Sequence, residues 1–231
     1  MPESIDVIIA CYNEAETIEN VILEHLKVLE NSQTFDEYLI TIIDDGSTDD
    51  SRAKINRIVT NYKNVKLIQS VKPSGIHEAF NKLVKSTSNK WVYFTSGDGQ
   101  YPAKILSDLI LDFDSNTWVH IAKRVNKLEI YTIIRLTVSF LYRFVVLIMS
   151  GKDPVDAGST KLVRRELLET PFYCKYLARD AETIVKAKKN NMGVKVVNSN
   201  FGTRSSGKSS IRINVVLKTF LDTFNLIKYR F

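Results

Sequence analysis

Residues 91–100 read Trp-Val-Tyr-Phe-Thr-Ser-Gly-Asp-Gly-Gln, a β-forming run that ends in a turn of small and acidic residues. A carboxylate at the carboxyl end of a buried strand, between glycines that let a ligand approach the backbone, suits a divalent metal carrying a phosphorylated ligand. Comparable polar turns, Tyr12–Glu14 and Asp44–Ser47, follow two earlier apolar runs. Three such turns together favour a shared ligand site.

Four apolar runs in the first half of the chain are each followed by apolar residues at helical spacing. Four successive βα units predict a mostly parallel, Rossmann-like sheet with right-handed crossovers, flanked by helices. The pairs Asn13 with Glu16 and Ser47 with Asp50 have the spacing of capping boxes, so we expect them to cap the first two helices. The predicted strands are Ile5–Ala10, Leu39–Ile43, Val65–Ile68 and Trp91–Thr95.

Composition indicates one globular domain, with or without an appendage. The chain has 231 residues, 44% hydrophobic and 25% charged, enough to bury one substantial core. Cys11 and Cys174 lie far apart without His or Cys neighbours at ligand spacing, which excludes a disulfide framework or zinc site and favours a reducing compartment. With no leader and no uninterrupted run of about 18 apolar residues, we expect a cytoplasmic protein without a membrane span.

The net charge of +6 is unevenly distributed. Residues 1–150 carry 16 Lys and Arg against 19 Asp and Glu, whereas residues 151–231 carry 16 against 7. A basic excess favours an anionic partner, which charge alone leaves open among nucleic acid, a phosphorylated substrate and an acidic membrane surface. No aromatic and basic interleaving or recognition-helix pattern accompanies the charge, so we expect no nucleic-acid partner.

Ligands of open α/β sheets bind beyond the carboxyl ends of the strands, so the side chains of the three turns should line one crevice. The alternative is that Asp45 and Ser47 merely cap a helix and that Gly97 and Gly99 only make a tight turn. A dinucleotide-binding domain is disfavoured because no G-x-G-x-x-G follows the first strand, and the chain has no G-x-x-x-x-G-K-[ST] phosphate loop.

In order and spacing, the motifs at Ile9–Glu14, Ile43–Asp49 and Ser96–Gln100 resemble the donor-site motifs of glycosyltransferase family 2, which has the nucleotide-diphospho-sugar GT-A fold. The resemblance covers nearly the whole chain and implies a UDP- or GDP-sugar donor, with Asp45 accepting a hydrogen bond from the base. It implies that Asp98 and Gln100 bind Mg²⁺ or Mn²⁺ between the two phosphates. The implied nucleotide-binding residues are Ala10, Tyr12, Glu14, Asp45, Gly75 and Ser96.

Ser96 departs from the family pattern, which usually has a second Asp at this position. A metal site with one protein carboxylate still suits Mg²⁺, which retains waters and binds substrate phosphates. The loss of a carboxylate is expected to weaken metal affinity or change metal preference. It leaves open a non-catalytic relative that binds nucleotide sugars.

Arginines in the second half look similar to those of dolichyl-phosphate and undecaprenyl-phosphate sugar transferases, and residues 204–209 look similar to their R-x-x-G-x-S segment. Arginine suits phosphate because its planar fork binds two oxygens at once. Arg204 lies in a polar run, residues 202–210, that is expected to close over the donor as a lid. The alternative for Arg124, Arg135 and Arg143 is a surface ion pair. The implied phosphate and acceptor ligands are Arg124, Arg135, Ser139, Arg204 and Ser209.

Asp180 and Glu182 fall where family 2 enzymes usually place an acidic residue near the acceptor. A saccharide hydroxyl needs a base such as Asp180, whereas a lipid monophosphate is already ionised and needs none. The alternative for Asp180 is a helix N-cap. The predicted catalytic residues are Asp98, Asp180, Arg124, Arg135 and Arg204.

Two apolar stretches bear on the acceptor. Leu136–Met149, interrupted by Arg143, suits either a core helix or a helix in a membrane interface. Residues 211–231, separate from a catalytic domain over residues 1–210, predict a basic amphipathic helix with an apolar face from Ile213 to Phe231. That helix suits peripheral contact with the membrane, or packing on the domain or on a second subunit as a homo-oligomer.

The resemblance therefore implies a metal-dependent, inverting transferase that moves a sugar from a UDP- or GDP-sugar to a polyprenyl phosphate at the cytoplasmic face of the membrane. The first alternative is a family 2 transferase that acts on a saccharide hydroxyl, with Asp180 as the base.

Overall fold

A computed structural model describes residues 3–73, 78, 82, 84–175, 177–203 and 213–230. Its strands are β1 Glu3–Cys11, β2 Phe35–Asp44, β3 Val65–Gln69, β4 Trp91–Ser96, β5 Thr117–Arg124, β6 Lys161–Arg164 and β7 Gly193–Ser199. Its helices are α1 Ile18–Glu30, α2 Ser51–Asn61, α3 Ala103–Leu111, α4 Lys127–Ile130, α5 Ile133–Ser150, α6 Arg165–Glu169, α7 Ala178–Lys189 and α8 Ile213–Thr223, followed by a 3₁₀ helix, Phe224–Tyr229.

The strands form one sheet in the order β3-β2-β1-β4-β6-β5-β7. The first four strands of this order are mutually parallel, β6 is antiparallel to both of its neighbours, and β7 is parallel to β5. The predicted mostly parallel sheet flanked by helices is confirmed, as are its four N-terminal strands. The helix predicted after β3 falls largely outside the described residues.

Both faces of β1 are buried, which explains its nearly continuous apolar sequence. Ile5, Val7 and Ile9 pack with α1, α2 and α3 on one face of the sheet, whereas Ile8 packs with α6 and α7 on the other. Side chains alternate between the two faces of a strand, so one run serves both layers. With its faces covered by helices, the sheet offers a ligand the loops at its strand ends.

The C-terminal residues pack against the rest of the domain. Leu226 and Tyr229 of the 3₁₀ helix are buried in a cluster with side chains of α5 and α7. Helix α8 ends at Thr223 and the 3₁₀ helix continues to Tyr229, so the described part of the predicted amphipathic helix is not one continuous α-helix. Phe231, the last residue of the predicted apolar face, lies outside the described residues. The predicted domain boundary at residues 210/211 lies outside the described residues.

Helix α5 contains the stretch Leu136–Met149, for which the sequence suited either a core helix or an interfacial helix. It is not a core helix. Within the helix only Val146 and Ser150 are buried. Its mean hydropathy is 1.8 over 18 residues, so by length and composition it could cross a membrane. Length and composition alone do not establish a span, so the expectation that the chain has no membrane span stays a prediction.

Candidate active site

Backbone hydrogen bonds draw three strand ends together at the carboxyl edge of the sheet. The amide of Gly97, just beyond β4, donates to the carbonyl of Ala10 at 2.8 Å. The amide of Asp45, just beyond β2, donates to the carbonyl of Cys11 at 2.9 Å. Ser96 lies opposite Ala10 in the parallel register. The three polar turns of the sequence therefore lie side by side, as predicted.

Side chains of the first two turns link the loops to each other rather than capping helices. The Asn13 amide donates to Ser47 Oγ at 3.0 Å, and Asn13 Oδ1 accepts from the Thr48 amide at 2.8 Å. The caps predicted for Asn13–Glu16 and Ser47–Asp50 are wrong, because α1 and α2 begin later and neither has a side-chain cap hydrogen bond. These polar groups hold the loops after β1 and β2 in a fixed relation.

Adjacent aspartates at the end of β2 have different surroundings. The buried Asp44 carboxylate accepts from the Ser47 amide at 2.9 Å and from Arg52 Nε at 2.5 Å, so it shapes the turn. Asp45, also buried, lies beyond the strand end. Gly46 has φ +80°, and a Cβ there would lie 2.9 Å from backbone atoms of Lys72. This turn needs glycine because another loop passes directly over it.

The turn after β4 presents Asp98 at the same edge. The carboxylate is buried, and its Oδ1 accepts from the Gln100 amide at 3.1 Å. Gly99 has φ +72°, the left-handed conformation that glycine adopts without strain. Thr17 Oγ donates to the Gly97 carbonyl at 2.6 Å, which connects this turn to the start of α1. The position of Asp98 is thus held by backbone and side-chain hydrogen bonds on both sides.

A cavity of about 220 Å³ adjoins this turn. The amide of Gly202 donates to the Gln100 carbonyl at 3.2 Å, and a Cβ on Gly202 would lie 3.0 Å from the Gly99 carbonyl oxygen. The segment after β7 therefore passes close against the Asp98 turn. The cavity is lined by Gln100, Tyr101, Arg124, Ile130, Tyr131, Arg135, Phe201, Gly202 and Thr203.

Residues 6–172, which include these three turns, match the sequence model of glycosyl transferase family 2. The chain belongs to this family. The domain matched by the family carries all three polar turns, and the expected enzyme class, a glycosyltransferase, is confirmed. No curated protein sequence is significantly similar to the chain.

Solved structures of one enzyme share the fold of this family 2 chain. Glucosyl-3-phosphoglycerate synthase from Mycobacterium tuberculosis, in complex with Mn²⁺, UDP and glucosyl-3-phosphoglycerate, has a TM-score of 0.69 at 17% identity, over 99% of this chain and 80% of that chain. The complex with Mn²⁺ and UDP-glucose has a TM-score of 0.67 at 18% identity, over 99% and 79% of the two chains. The predicted GT-A fold is confirmed.

The donor set of the family 2 site fits a divalent metal that is held partly by its substrate. Among the described residues, no three His, Cys, Asp or Glu side chains cluster as a metal site. Asp98 provides one hard carboxylate, and Mg²⁺ or Mn²⁺ with a diphosphate needs few protein ligands. Asp98 and Gln100 would hold the ion, which would stabilise the charge that develops on the leaving diphosphate.

Arg124 forms part of the cavity wall through a buried ion pair. Its Nη1 lies 3.1 Å from Asp156 Oδ1, its backbone amide donates to the same carboxylate, and its guanidinium lies 4.7 Å from the centre of the Phe201 ring. Burial acts against the charge, but Tyr101 and Asp156 raise the pKa of Arg124 above its usual value. Arg124 is thus engaged within the protein, and its predicted contact with phosphate stays a prediction.

Arg135 presents its guanidinium at the cavity from the first turn of α5. The group lies over the Tyr131 ring, 3.9 Å from its centre, and the residue is exposed. Ser139 follows one turn later and is half-buried. Arg143 instead pairs with Asp153 through two hydrogen bonds of 2.8 and 2.6 Å, so the surface ion pair weighed for it is confirmed.

The two acidic residues of α7 have different roles. Glu182 is fully buried and accepts from the amides of Tyr173 and Cys174, both at 2.7 Å, and from the Tyr229 hydroxyl at 2.8 Å. It holds a loop and the 3₁₀ helix in place. Asp180 is in the first turn rather than at the N-cap, which is Leu177, so the N-cap interpretation is wrong.

Asp180 points its carboxylate toward a buried lysine. Its Oδ1 lies 3.6 Å from Lys161 Nζ, while the side chain stays 46% exposed. Lys161 also donates to the carbonyls of Ala157 and Ser159, both at 2.7 Å, and burial lowers its pKa. Asp180 is therefore both held by the fold and open to solvent.

The predicted residues Gly75, Arg204 and Ser209 lie outside the described residues. Tyr131, Asp156 and Lys161, which contact predicted site residues, had no signal in the sequence. Each depends on a partner distant along the chain or on burial that a single residue does not reveal. For Phe201 the sequence offered one signal of a place in the site, its position next to the polar run at residues 202–210.

Proposed function

We propose that this family 2 enzyme is a metal-dependent, inverting transferase that moves a sugar from a UDP- or GDP-sugar to a polyprenyl phosphate at the cytoplasmic face of the membrane. The observation that supports it most is the position of Arg135, at a cavity beside the Asp98 turn and at the start of an exposed apolar helix. Such a cavity suits an acceptor with an anionic head and an apolar tail.

The guanidinium of Arg135 is suited to an acceptor phosphate. Arg124 is occupied by Asp156, whereas Arg135, within the part of the chain that the structure describes, makes a ring contact and no ion pair. Stacking on Tyr131 orients the planar fork, which lowers the entropy that phosphate binding would otherwise cost. Phosphate bound there would lie in the cavity that Gln100 also lines.

The surroundings of Arg135 suit a lipid rather than a fully polar acceptor. Ile130 lines the cavity, and Ile133 and Ile134 on the following turn are 82% and 77% exposed. These three apolar side chains offer a path for a polyprenyl chain that leads away from the phosphate. A small phosphorylated acceptor would leave these side chains in water.

The chemistry then needs no general base. A phosphate oxygen of the acceptor forms a bond to the anomeric carbon while the bond from that carbon to the donor β-phosphate breaks. The electron pair leaves with the nucleoside diphosphate, and attack from the opposite side inverts the centre. Because a phosphate monoester is already ionised near neutral pH, the acceptor has no proton that must be removed.

UDP is the donor nucleotide to test first. The structural neighbours bind Mn²⁺ with UDP or UDP-glucose. They share only the fold at this identity, and their acceptor, phosphoglycerate, is also a phosphomonoester. GDP-sugars belong in the same assay because Asp45 suits a hydrogen bond from either base.

A second candidate is transfer to a saccharide hydroxyl, with Asp180 as the base. It is favoured by the half-exposed Asp180 carboxylate, which Lys161 holds at 3.6 Å and whose charge acts on the cavity residue Tyr101. Only a hydroxyl acceptor has a proton that this carboxylate would take.

Radiolabelled UDP- and GDP-sugars with Mn²⁺ or Mg²⁺ test the acceptor. We expect label in an organic-extractable, acid-labile product with detergent-solubilised polyprenyl phosphate, and little with 3-phosphoglycerate. Arg135→Ala should lower turnover on the lipid at least about tenfold, the loss of one charge-assisted contact. Its control, Arg143→Ala on the same helix, should stay within about twofold.

Several outcomes contradict the proposal. Label found only in water-soluble glycan, together with a large loss in Asp180→Asn, would support the second candidate. Efficient transfer to 3-phosphoglycerate alone would replace the lipid by a small acceptor. Retained UDP binding without transfer or hydrolysis of any nucleotide sugar would show that Ser96 marks a non-catalytic protein.

A further inference from the structure

Helix α5 has two faces that differ in their partners. Tyr142, Val146 and Met149 pack into the cluster that also holds the 3₁₀ helix. The opposite side carries four exposed apolar residues that are spaced seven, four and three positions apart along the helix: Ile133, Phe140, Phe144 and Leu147. Phe140 is 69% and Phe144 52% exposed. One side of α5 holds it on the domain, and the other presents large apolar side chains outward.

The outward face carries no charge. At 100° per residue, Arg135 and Arg143 project toward or beside the packed side of the helix, and Arg143 is paired with Asp153. Leu221 and Phe224 are also exposed, and they lie on the C-terminal segment, which contacts α5 through the Tyr142 and Phe220 rings, 5.7 Å apart. We call the exposed side chains of Ile133, Phe140, Phe144, Leu147, Leu221 and Phe224 the apolar surface.

We infer that the apolar surface docks the protein onto an anionic lipid bilayer, with α5 lying in the interface. These large exposed apolar side chains lie on α5 and on the C-terminal segment, which pack against each other, and groups of this kind are typical of interaction surfaces on soluble domains. An interfacial helix buries such side chains to the level of the acyl chains and keeps its other face on the protein.

The charges beside the apolar surface favour a bilayer over a second copy of the chain. The C-terminal segment that packs on α5 carries Lys218, Lys228 and Arg230, and Arg230 contacts α5 at the Ile148 carbonyl. The acidic residue of this segment is Asp222, whose carboxylate accepts from the Lys175 amide within the fold. Basic residues attract anionic headgroups. Two copies facing each other would bring these basic residues together, which costs free energy.

The packing of α5 excludes a spanning orientation in this fold. Val146 and Ser150 are buried against the domain, and Arg230 Nη1 donates to the Ile148 carbonyl at 2.9 Å. The C-terminal half of the helix therefore cannot enter the bilayer core without leaving the domain. Lying flat instead, it brings its first turn, with Arg135, to the level of the headgroups.

This inference deepens the proposed function, because a docked α5 would place the cavity where a lipid-borne phosphate is found. It is tested without donor or acceptor. The full chain is sedimented with vesicles of phosphatidylcholine alone and of equal parts phosphatidylcholine and phosphatidylglycerol. We expect binding to the anionic vesicles that weakens with salt but persists in part, since apolar insertion is not screened.

A double variant, Phe140→Ser with Phe144→Ser, should lower the vesicle partition coefficient at least about tenfold, the effect of removing two inserted rings. The matched control is Leu111→Ser, an 80% exposed leucine at the end of α3, away from the apolar surface, which should partition like the wild type. The three proteins should unfold at similar temperatures because the altered side chains are exposed.

Three results would overturn the inference. The first is that the wild type does not bind anionic vesicles. The second is that the double variant and the control partition equally. The third is that the wild type is a dimer in analytical ultracentrifugation and that the double substitution dissociates this dimer. Transfer to detergent-solubilised polyprenyl phosphate is measured separately. Docking can therefore fail while transfer persists, and transfer can fail while docking persists.

Discussion

At the scale of single residues, the same side chain has different functions in different surroundings. Asp44 shapes a turn while Asp45 lies beyond the strand end, and Glu182 holds a loop while Asp180 stays half exposed. The difference comes from burial and from partners far away in the chain. Residue type and position alone do not separate these functions.

Arg124 and Arg143, which both form ion pairs, allow a direct test of how much burial changes the contribution of a side chain. Arg124→Ala leaves the buried Asp156 carboxylate with only the half-buried Lys127 as its cationic partner, so we expect the free energy of unfolding to fall by about 2–3 kcal/mol. Arg143→Ala breaks an exposed pair with Asp153 and should cost less than about 1 kcal/mol. Urea denaturation near neutral pH measures both. Equal losses would show that Arg124 is not held as described.

Asp98→Asn tests the proposed role of Asp98 as a metal ligand. Without its charge, the Mn²⁺-dependent thermal shift produced by UDP should disappear, and turnover should fall at least about 100-fold because developing charge on the diphosphate is no longer stabilised. Asp108→Asn, which removes a carboxylate paired with Lys104 on α3, should behave like the wild type. A Mn²⁺-dependent shift that survives in Asp98→Asn would contradict the assignment.

At the scale of elements, the loops after β1 and β2 are held to each other more than to their own helices. Asn13 bonds across to Ser47 and Thr48, and Lys54 Nζ donates to the Ala15 carbonyl at 2.7 Å. Neither α1 nor α2 has a side-chain cap hydrogen bond. Loop geometry, rather than helix capping, explains the polar residues of these turns.

Gly46→Ala tests how closely the loops are packed. The substitution strains a left-handed turn and places a Cβ 2.9 Å from the backbone of Lys72, so we expect a loss of about 2 kcal/mol or more in the free energy of unfolding. UDP binding should weaken as well, since Asp45 adjoins the turn. Gly158→Ala has open space around its Cβ and should cost less than about 1 kcal/mol. Urea denaturation and UDP titration distinguish the two, and an unchanged Gly46→Ala protein would contradict this packing.

At the scale of the whole molecule, helices on both faces of the sheet bury ionisable groups as well as apolar ones. His25 of α1 is fully buried, its Nδ1 donates to the Val21 carbonyl at 2.7 Å, and its Nε2 has no partner among the described residues. A proton on Nε2 would place a charge in the core. Burial therefore lowers the pKa of His25 to about 4.

This burial predicts a loss of stability in mild acid. The unfolded histidine titrates near 6.5, so between this pH and about 4 the unfolded state binds the extra proton and the free energy of unfolding falls as pH falls. From about pH 7 to about pH 5 we expect His25 to contribute about 1–2 kcal/mol of the decrease. Urea denaturation should show a correspondingly smaller decrease in His25→Gln. An identical decrease in the variant would exclude His25 as the cause.

The sequence by itself determined the four N-terminal strands, the helices after three of them, the family and the three polar turns, because hydrophobic periodicity and local motifs are properties of neighbouring residues. It did not predict β6, whose four residues pair antiparallel between β4 and β5, since so short a run has no distinctive period. The glycine at position 99 is likewise a local requirement, because the turn after β4 needs a left-handed residue there.

Only the tertiary structure decided which charges are paired and which apolar side chains face outward. The pairing of Arg124 with Asp156, the stacking of Arg135 on Tyr131 and the burial of Leu226 depend on contacts between segments that the sequence does not order in space. The exposure of α5 likewise depends on what packs against it. Periodicity specifies that a helix has an apolar face, but only the packed fold determines whether that face is covered by protein.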